Sequence, residues 1–282
     1  MCGPCDGIYF LWCFSYNAPK RSLWNPALNE FMVLPDITCW KPNLPTELHY
    51  IQESYGFGYD SKANDYKVIQ VLGYRYGNLK VTDNPVSILI YSLRTNSWRY
   101  WGDMDNSYQL KLNKCYVFVN GCYYWLASPR ITSDWNYQMI ISFDISAETC
   151  QEIPLPEFES KPDFESQLIV YQDSIAFVFV SLLPNYRTNF CIWTWNEGVW
   201  TRKLKMKLDF EVCGAFSQWR DNMLVFRRAP SKLVLFDTKT KEIYFLDDPQ
   251  MGGCENICAY KESLVSINDF GKDITHNGSG VL

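Results

Sequence analysis

Histidine is nearly absent: His49 and His276 are the whole complement of a 282-residue chain. A Ser-His-Asp or Cys-His catalytic arrangement would have to use one of them, and neither sits beside a recognisable nucleophile. They also lack ligand spacing to the cysteines, and strand-type residues separate Cys254 from Cys258, so no zinc site is indicated. There is no P-loop and no dinucleotide-binding glycine pattern. No stretch approaches the roughly 20 apolar residues of a membrane span, and none opens with the basic start and apolar run of a signal peptide. Basic charge is short as well. Lys and Arg number 26 against 31 Asp and Glu, a formal charge of −5, which argues against general affinity for nucleic acid. Nothing asks for a long amphipathic helix. The nearest stretch, Leu44–Glu53, suggests an irregular helical turn. No cofactor, metal, catalytic residue, nucleic-acid partner or membrane partner is therefore expected.

Aromatic residues, by contrast, make up 17% of the chain and apolar residues 47%, enough for a sizeable core of wide strands packed face to face. The eleven cysteines are an odd, scattered set, several inside strand-like runs. Without a secretion signal they read as reduced, buried, small apolar side chains, and the compartment as cytoplasmic or nuclear. Cys2-Gly3-Pro4-Cys5 has the dithiol spacing of redox proteins, but that chemistry needs the first thiol at a helix N-terminus, and this stretch runs straight into an apolar strand.

Two hairpin patterns organise the chain. In the first, an aromatic is followed by a polar turn and a large or soft apolar residue seven positions on. The pairs are Trp24 and Phe31, Tyr91 and Trp98, Phe143 and Cys150, Trp193 and Trp200, and Phe236 and Ile243. The second pattern is apolar strand, short acidic or amide turn, apolar strand. Its turns fall at Asp6-Gly7, Asp60 to Asp65, Asn120-Gly121, Asp173-Ser174, Asp221-Asn222 and Glu262-Ser263. Asp, Asn and Gly recur there because they tolerate the conformations tight turns require. Alternating the two gives four antiparallel strands per unit of about 40 to 50 residues, the arithmetic of a β-propeller blade.

The expected fold is all-β: a propeller of about six four-stranded blades over residues 1–267, the last incomplete, with a flexible polar tail at 268–282. The first strand of the opening unit looks cut short, as in a fragment or shortened product missing upstream strands. Trp98 and Trp200 are expected to pack between neighbouring blades. The short turns of both hairpin types share one rim. The longer connections (33–55, 73–86, 128–137, 157–166, 183–189 and 227–231) share the other, where binding specificity usually sits. Tyr74, Arg75, Tyr76, Arg130, Trp135, Tyr186, Arg187, Arg227 and Arg228 fall there and are residue types enriched at protein–protein hot spots. Asp163 and Glu165 offer carboxylates to a basic partner. Carboxylate pairs such as Asp247-Asp248, or Glu157 with Glu159, read as solvated loop charge, although a propeller glycosidase could use such a pair.

The repeat residues also carry a family likeness. GPCDGIYFL (Gly3–Leu11), LWNPALNEFMVLP (Leu23–Pro35), YGFGYDSKANDYKVIQV (Tyr55–Val71), ILIYSLRTNSWRYW (Ile88–Trp101), VNGCYYWLA (Val119–Ala127) and IISFDI (Ile140–Ile145) occur in the same order as in the associated domain of plant F-box proteins. The set resembles the S-locus F-box branch in particular. The likeness implies a non-enzymatic domain that presents a protein substrate to an SCF-type ubiquitin ligase. In the most similar branch the substrates are S-locus ribonucleases, met in pollen during self-incompatibility. It further implies a Skp1-like adaptor as partner where an F-box lies upstream, since none precedes Gly3. Two other readings stand beside it: an interaction scaffold without degradative function, and a propeller glycosidase or lectin.

Overall fold

A computed structural model describes residues 2–13, 20–39, 48–76, 86–104, 108–110, 116–129, 139–158, 166–214, 217–229, 232–246 and 260–270. The secondary structure of these residues is almost entirely β. The first sheet joins β1 (Cys2–Cys5), β2 (Ile8–Cys13), β3 (Lys20–Asn25) and β4 (Glu30–Val33). The second joins β5 (Leu48–Asp60), β6 (Asp65–Tyr76), β7 (Val86–Ser92) and β8 (Ser97–Met104). The third holds β9 (Tyr108–Leu110), β10 (Tyr116–Val119), β11 (Cys122–Pro129), β12 (Met139–Asp144) and β13 (Thr149–Pro154). In the fourth are β14 (Gln167–Tyr171), β15 (Ser174–Leu183), β16 (Arg187–Asn196) and β17 (Val199–Leu208). The fifth contains β18 (Ser217–Arg220), β19 (Met223–Arg228), β20 (Lys232–Asp237) and β21 (Ile243–Leu246). Each is an antiparallel meander in chain order, as a propeller blade requires. In the third, β9 and β10 lie end to end against β11 and share the place of one inner strand.

The blade count expected from sequence needs correction: the described residues form five sheets, not about six. Of the stretch expected to start a sixth, Asn256–Ile267, residues 256–259 lie outside the described residues, and Tyr260–Ile267 forms no strand and instead lies along the first sheet. Asn25 donates from Nδ2 to the carbonyls of Ser263 (3.1 Å) and Val265 (2.8 Å). The Glu30 carboxylate accepts from Ser266 Oγ (2.8 Å) and from the backbone N–H of Ile267 (2.6 Å). Polar capture by a neighbouring sheet satisfies these backbone groups, so the stretch needs no ladder of its own. The opening unit, whose first strand was expected to be cut short, has all four strands, β1 having four residues. Leu44–Glu53 is corrected too, since its described part, from Leu48, is strand.

The turns show why these residues make hairpins. Two-residue turns with both central φ angles positive occur at Asp6-Gly7 (46° and 72°), Asn120-Gly121 (52° and 76°), Gln172-Asp173 (51° and 57°) and Glu197-Gly198 (49° and 85°). That backbone twist matches the twist of paired strands. The third of them sits one residue before the position expected. Four-residue turns instead place their last residue in the left-handed region, at Asn29, Asn64, Asn96, Glu148 and Lys241. The residue before such a turn is often a side-chain acceptor: Asn25 caps Ala27 N, Asp60 caps Lys62 N, and Asp237 caps Lys239 N. Asn25, Ser92 and Asp237, each directly after a repeat aromatic, cap their turns in this way, Ser92 Oγ accepting from Thr95 N.

The seven-residue offset is a register. Trp24 faces Phe31, Tyr91 faces Trp98, Phe143 faces Cys150, and Phe236 faces Ile243 across their hairpins. The Trp193 and Trp200 pair is the exception. A two-residue turn pairs Trp200 with Trp195 instead, their rings 5.2 Å apart, and leaves Trp193 opposite Arg202, with a bulge only beyond that pair. The offset there arises from a different turn.

By contact the chain divides into two compact units, Met1–Asn106 with Ile145–Ala147 and Tyr260–Leu282, and Ser107–Asp144 with Glu148–Ala259. In the first unit, Lys67 and Asp60 are buried and paired at 2.6 Å. Lys67 also donates to the Ile145 carbonyl at 3.0 Å, and Ser146 Oγ donates to Asp60. In the second unit, one core cluster holds Val178, Phe190, Ile192, Leu224, Phe226 and Phe236. Another holds Leu126, Ile140, Ile153, Phe177, Phe179 and Cys191. Full burial of each such side chain stabilises by about 1.5–3 kcal/mol.

A repeated contact joins consecutive sheets inside each unit. Trp98 Nε1 donates to the Pro35 carbonyl at 3.0 Å, and Trp200 Nε1 to the Pro154 carbonyl at 2.7 Å. Each proline closes the outer edge of the preceding sheet, so both tryptophans do pack between blades. Among the described cysteines, all in the thiol form, Cys2 and Cys191 are buried, whereas Cys13, Cys39 and Cys150 are exposed, against the expectation of burial. Cys150 lies on an outer strand, β13, Cys13 at the end of β2, and Cys39 outside any strand. No helix among the described residues is long and apolar enough to cross a membrane.

Candidate interaction surface

Strand order places the two hairpin turns of each sheet at one end and the longer connections at the other. In the fourth and fifth sheets that second end is well described. It is made by the 3-10 turn Pro184–Tyr186, by residues 209–214, and by the ends of β16, β17, β19 and β20. Residues 209–214 are tied down. Val212 N donates to the buried Thr188 Oγ1 at 3.0 Å, and Val212 bridges to Arg228. Cys213 N reaches the Arg227 carbonyl at 2.9 Å, Arg227 N the Gly214 carbonyl at 3.0 Å, and Ala229 N the Glu211 carbonyl at 3.1 Å. A connection whose backbone bonds are met this way presents its side chains in a fixed arrangement.

On that support stands an aromatic and cationic cluster. Phe226 is fully buried, Phe210 stacks on it at 6.5 Å, and Phe245 meets Phe210 edge-on at 5.8 Å while remaining 47% exposed. The Arg228 guanidinium lies 4.9 Å from the Phe210 ring centre and 5.4 Å from that of Phe245. Such contacts are worth about 0.5–2 kcal/mol each and hold the guanidinium against the two rings. Beside them Arg187 Nε meets Asp209 Oδ1 at 3.3 Å, with the two side chains 58% and 90% exposed. A pair this open contributes at most about 1 kcal/mol, so a partner could exchange its own groups for it at little cost. The cluster has the composition of a protein-binding surface, an aromatic and arginine centre with an open charged rim.

The sequence-selected residues divide by what can be described. Arg187 and Arg228 come together at this end, and Arg227 donates to the Cys213 carbonyl at 3.4 Å. Tyr186 lies in the 3-10 turn, its side chain outside the described part. Tyr74, Arg75 and Tyr76, expected in a loop, are strand residues of β6, opposite Ile51, Tyr50 and Leu48. Their side chains are also outside the description, and so are Arg130, Trp135, Asp163 and Glu165 altogether. Strands reach further into the expected loops than the sequence suggested, because paired backbone is cheaper than free loop wherever a partner strand continues. The connection expected at 183–189 thus shrinks to the 3-10 turn, and that at 227–231 to 229–231. Asp209, Phe210 and Phe245 were missed. Phe210 lies two residues past the end of β17 and continues the apolar alternation of Leu204, Met206 and Leu208, a signal that the loop reading passed over.

The dithiol motif reads differently in three dimensions. Cys2 and Cys5 lie on β1, with Cys2 Sγ donating to the Tyr55 carbonyl at 3.1 Å. Burial, reinforced by Asp6, pushes the Cys5 thiol up to about 12, the opposite of a reactive thiolate. Among the described residues no three His, Cys, Asp or Glu side chains are grouped to hold a metal ion.

Meandering antiparallel sheets joined in chain order define the class, a β-propeller domain. The chain belongs to the F-box associated beta propeller domain family, whose match covers residues 1–267. It is 25% identical over 276 residues to F-box/kelch-repeat protein At3g23880 of Arabidopsis thaliana, covering 95% of this chain and 69% of that protein. To F-box protein CPR1 of the same plant it is 23% identical over 246 residues, covering 81% of this chain and 57% of the relative. Among solved structures it is similar to YjhT, with a TM-score of 0.46, 12% identity, and coverage of 86% of this chain and 82% of that one.

Proposed function

We propose that this domain is the substrate-recognition part of an F-box protein in an SCF-type ubiquitin ligase, and that it is not itself an enzyme. It holds a protein substrate on the long-connection end and works in the cytoplasm. The observation that carries this reading is the family match over residues 1–267 together with the Arg228, Phe210 and Phe245 cluster at that end. The curated relatives are F-box proteins by name and extend beyond the matched portion. A Skp1-like adaptor would then bind an F-box upstream of this domain. Within the reading, an S-locus ribonuclease is the substrate to test first, on the likeness to that branch.

The test is affinity capture from pollen and leaf extracts with the full reading frame, beside Arg228→Ala and Phe245→Ala variants. Recovery of adaptor and one substrate together, with the substrate reduced at least five-fold by either variant and the adaptor unchanged, supports the reading. Substrate recovery without adaptor would favour a scaffold, and ribonuclease absent from the capture would remove the self-incompatibility assignment.

A further inference from the structure

The outer strand of the fourth sheet carries a charge pattern found on none of the other outer strands. Between Val199 and Leu208, β17 reads VWTRKLKMKL, with four cations and no carboxylate in a chain of net charge −5. Leu204 and Leu208 are buried in the core shared with the fifth sheet, and Met206 packs against it. Alternation therefore turns Lys203, Lys205 and Lys207 to the opposite face. The bulge opposite Ile192 and Trp193 adds a fourth cation there. The two-residue turn already sets Arg202 against Trp193, with the guanidinium 5.4 Å from the ring, and the bulge inserts Lys203 just beyond that pair, so that Arg202 and Lys203 both fall on the lysine side. Arg202, Lys203, Lys205 and Lys207 are all exposed. Among the described residues no strand pairs with the outer edge of β17.

Lysine on an edge strand commonly serves to prevent edge-to-edge association. The other outer strands argue against that role here. Strand β21 reads IYFL, with Tyr244, Phe245 and Leu246 all exposed, and carries no charge. A protective device would be needed there first. On β4, EFMV, the exposed Phe31 and Val33 likewise lack a lysine. The cations are placed on the longest of the described outer strands, and from Lys203 to Lys207, beyond the bulge, lysines repeat every two residues. An extended chain added alongside would repeat at the same interval.

We propose that β17 is a docking edge for an extended acidic peptide segment of a partner protein, pairing by backbone and setting a carboxylate at every second residue against Lys203, Lys205 and Lys207. This surface is separate from the Arg228 cluster, so either proposal can fail alone. Opposite charge along the strand raises the encounter rate and, with the alternation, fixes register and orientation.

The test uses the 282-residue chain and two fluorescent peptides of equal composition, one alternating Glu and Thr, the other with all its Glu in one block. Binding is read by anisotropy, and the β17 amides by hydrogen exchange. The alternating peptide should bind at least five-fold tighter than the block peptide and slow exchange along β17. The triple variant Lys203→Glu, Lys205→Glu, Lys207→Glu should weaken it at least ten-fold, and the same reversal at the exposed Lys20, Lys62 and Lys239 less than two-fold. Equal binding of both peptides, equal loss in the two triple variants, or tighter binding of a single-stranded RNA of the same charge would overturn the proposal. So would a β17 variant that aggregates with peptide binding unchanged, the signature of edge protection alone.

Discussion

Replacing Gly7 by alanine should cost the fold more than the same change at Gly121, although both glycines sit second in a two-residue turn with similar φ, 72° and 76°. The left-handed conformation costs an alanine about 1–2 kcal/mol at either site, so this part cancels in the comparison. Their surroundings differ. A Cβ on Gly121 would meet nothing within 4 Å, whereas one on Gly7 would lie 2.6 Å from Ser263 Cβ and 3.0 Å from Ser263 N. Backbone cannot yield as a side-chain tip does, so the 260–268 stretch must lift. Lifting it endangers the two Asn25 bonds to Ser263 and Val265 and the Glu30 bonds at Ser266 and Ile267. With about 0.5–1.5 kcal/mol per bond and two or three broken, Gly7→Ala should lose about 1.5–3 kcal/mol more than Gly121→Ala. Urea unfolding gives the totals, and exchange at the Ile267 amide, buried and bonded to Glu30, reports the local event. Equal losses, or unchanged protection at Ile267 in Gly7→Ala, would refute the account of the stretch as a latch on the first sheet.

Asp60→Asn should destabilise by about 3–5 kcal/mol by stranding the buried Lys67, and replacing both partners with apolar residues should cost less. Although burial pushes the Asp60 carboxyl up, hydrogen bonds from Lys67, Ser146 and Ala63 N together hold it below the ordinary 3.8. Its contribution is therefore complete above pH 3.8 and is lost as pH falls through the lower folded value, a slope in melting temperature that Asp60→Asn should remove. Asp65 is shifted the other way by burial, so its contribution is present below 3.8 and lost as pH rises through the raised folded value. Asp65→Asn should flatten that opposite slope, read in the same melting series. Trp98→Phe should cost about 1 kcal/mol in urea unfolding by removing the indole donor to Pro35, and no measurable loss would mean that packing alone holds that sheet contact.

Much of the architecture was written locally. Asn, Asp and Gly at the turns, alternation in the strands and the seven-residue offset together specify hairpins. Four of the five offsets, Tyr91 to Trp98 among them, proved to be direct cross-strand neighbours. The fifth, at Trp193, misled because a two-residue turn shifts the pairing by two residues while the spacing in sequence stays the same. At the candidate surface, residue type alone picked out Arg187 and Arg228 without the groups that hold them. Asp209, Phe210 and Phe245 meet them only once the ends of two sheets converge.

Turn chemistry acts over a few residues, so the sequence by itself determined the hairpins, their alternation and the β class. The number of sheets and the use of the 260–268 stretch were decided at long range. Nothing near Asn25 or Glu30 in the chain announces partners more than 230 positions away. Whether an apolar run such as CAYKESLVSI becomes a strand depends on which backbone groups stand beside it, and that is a property of the folded neighbourhood.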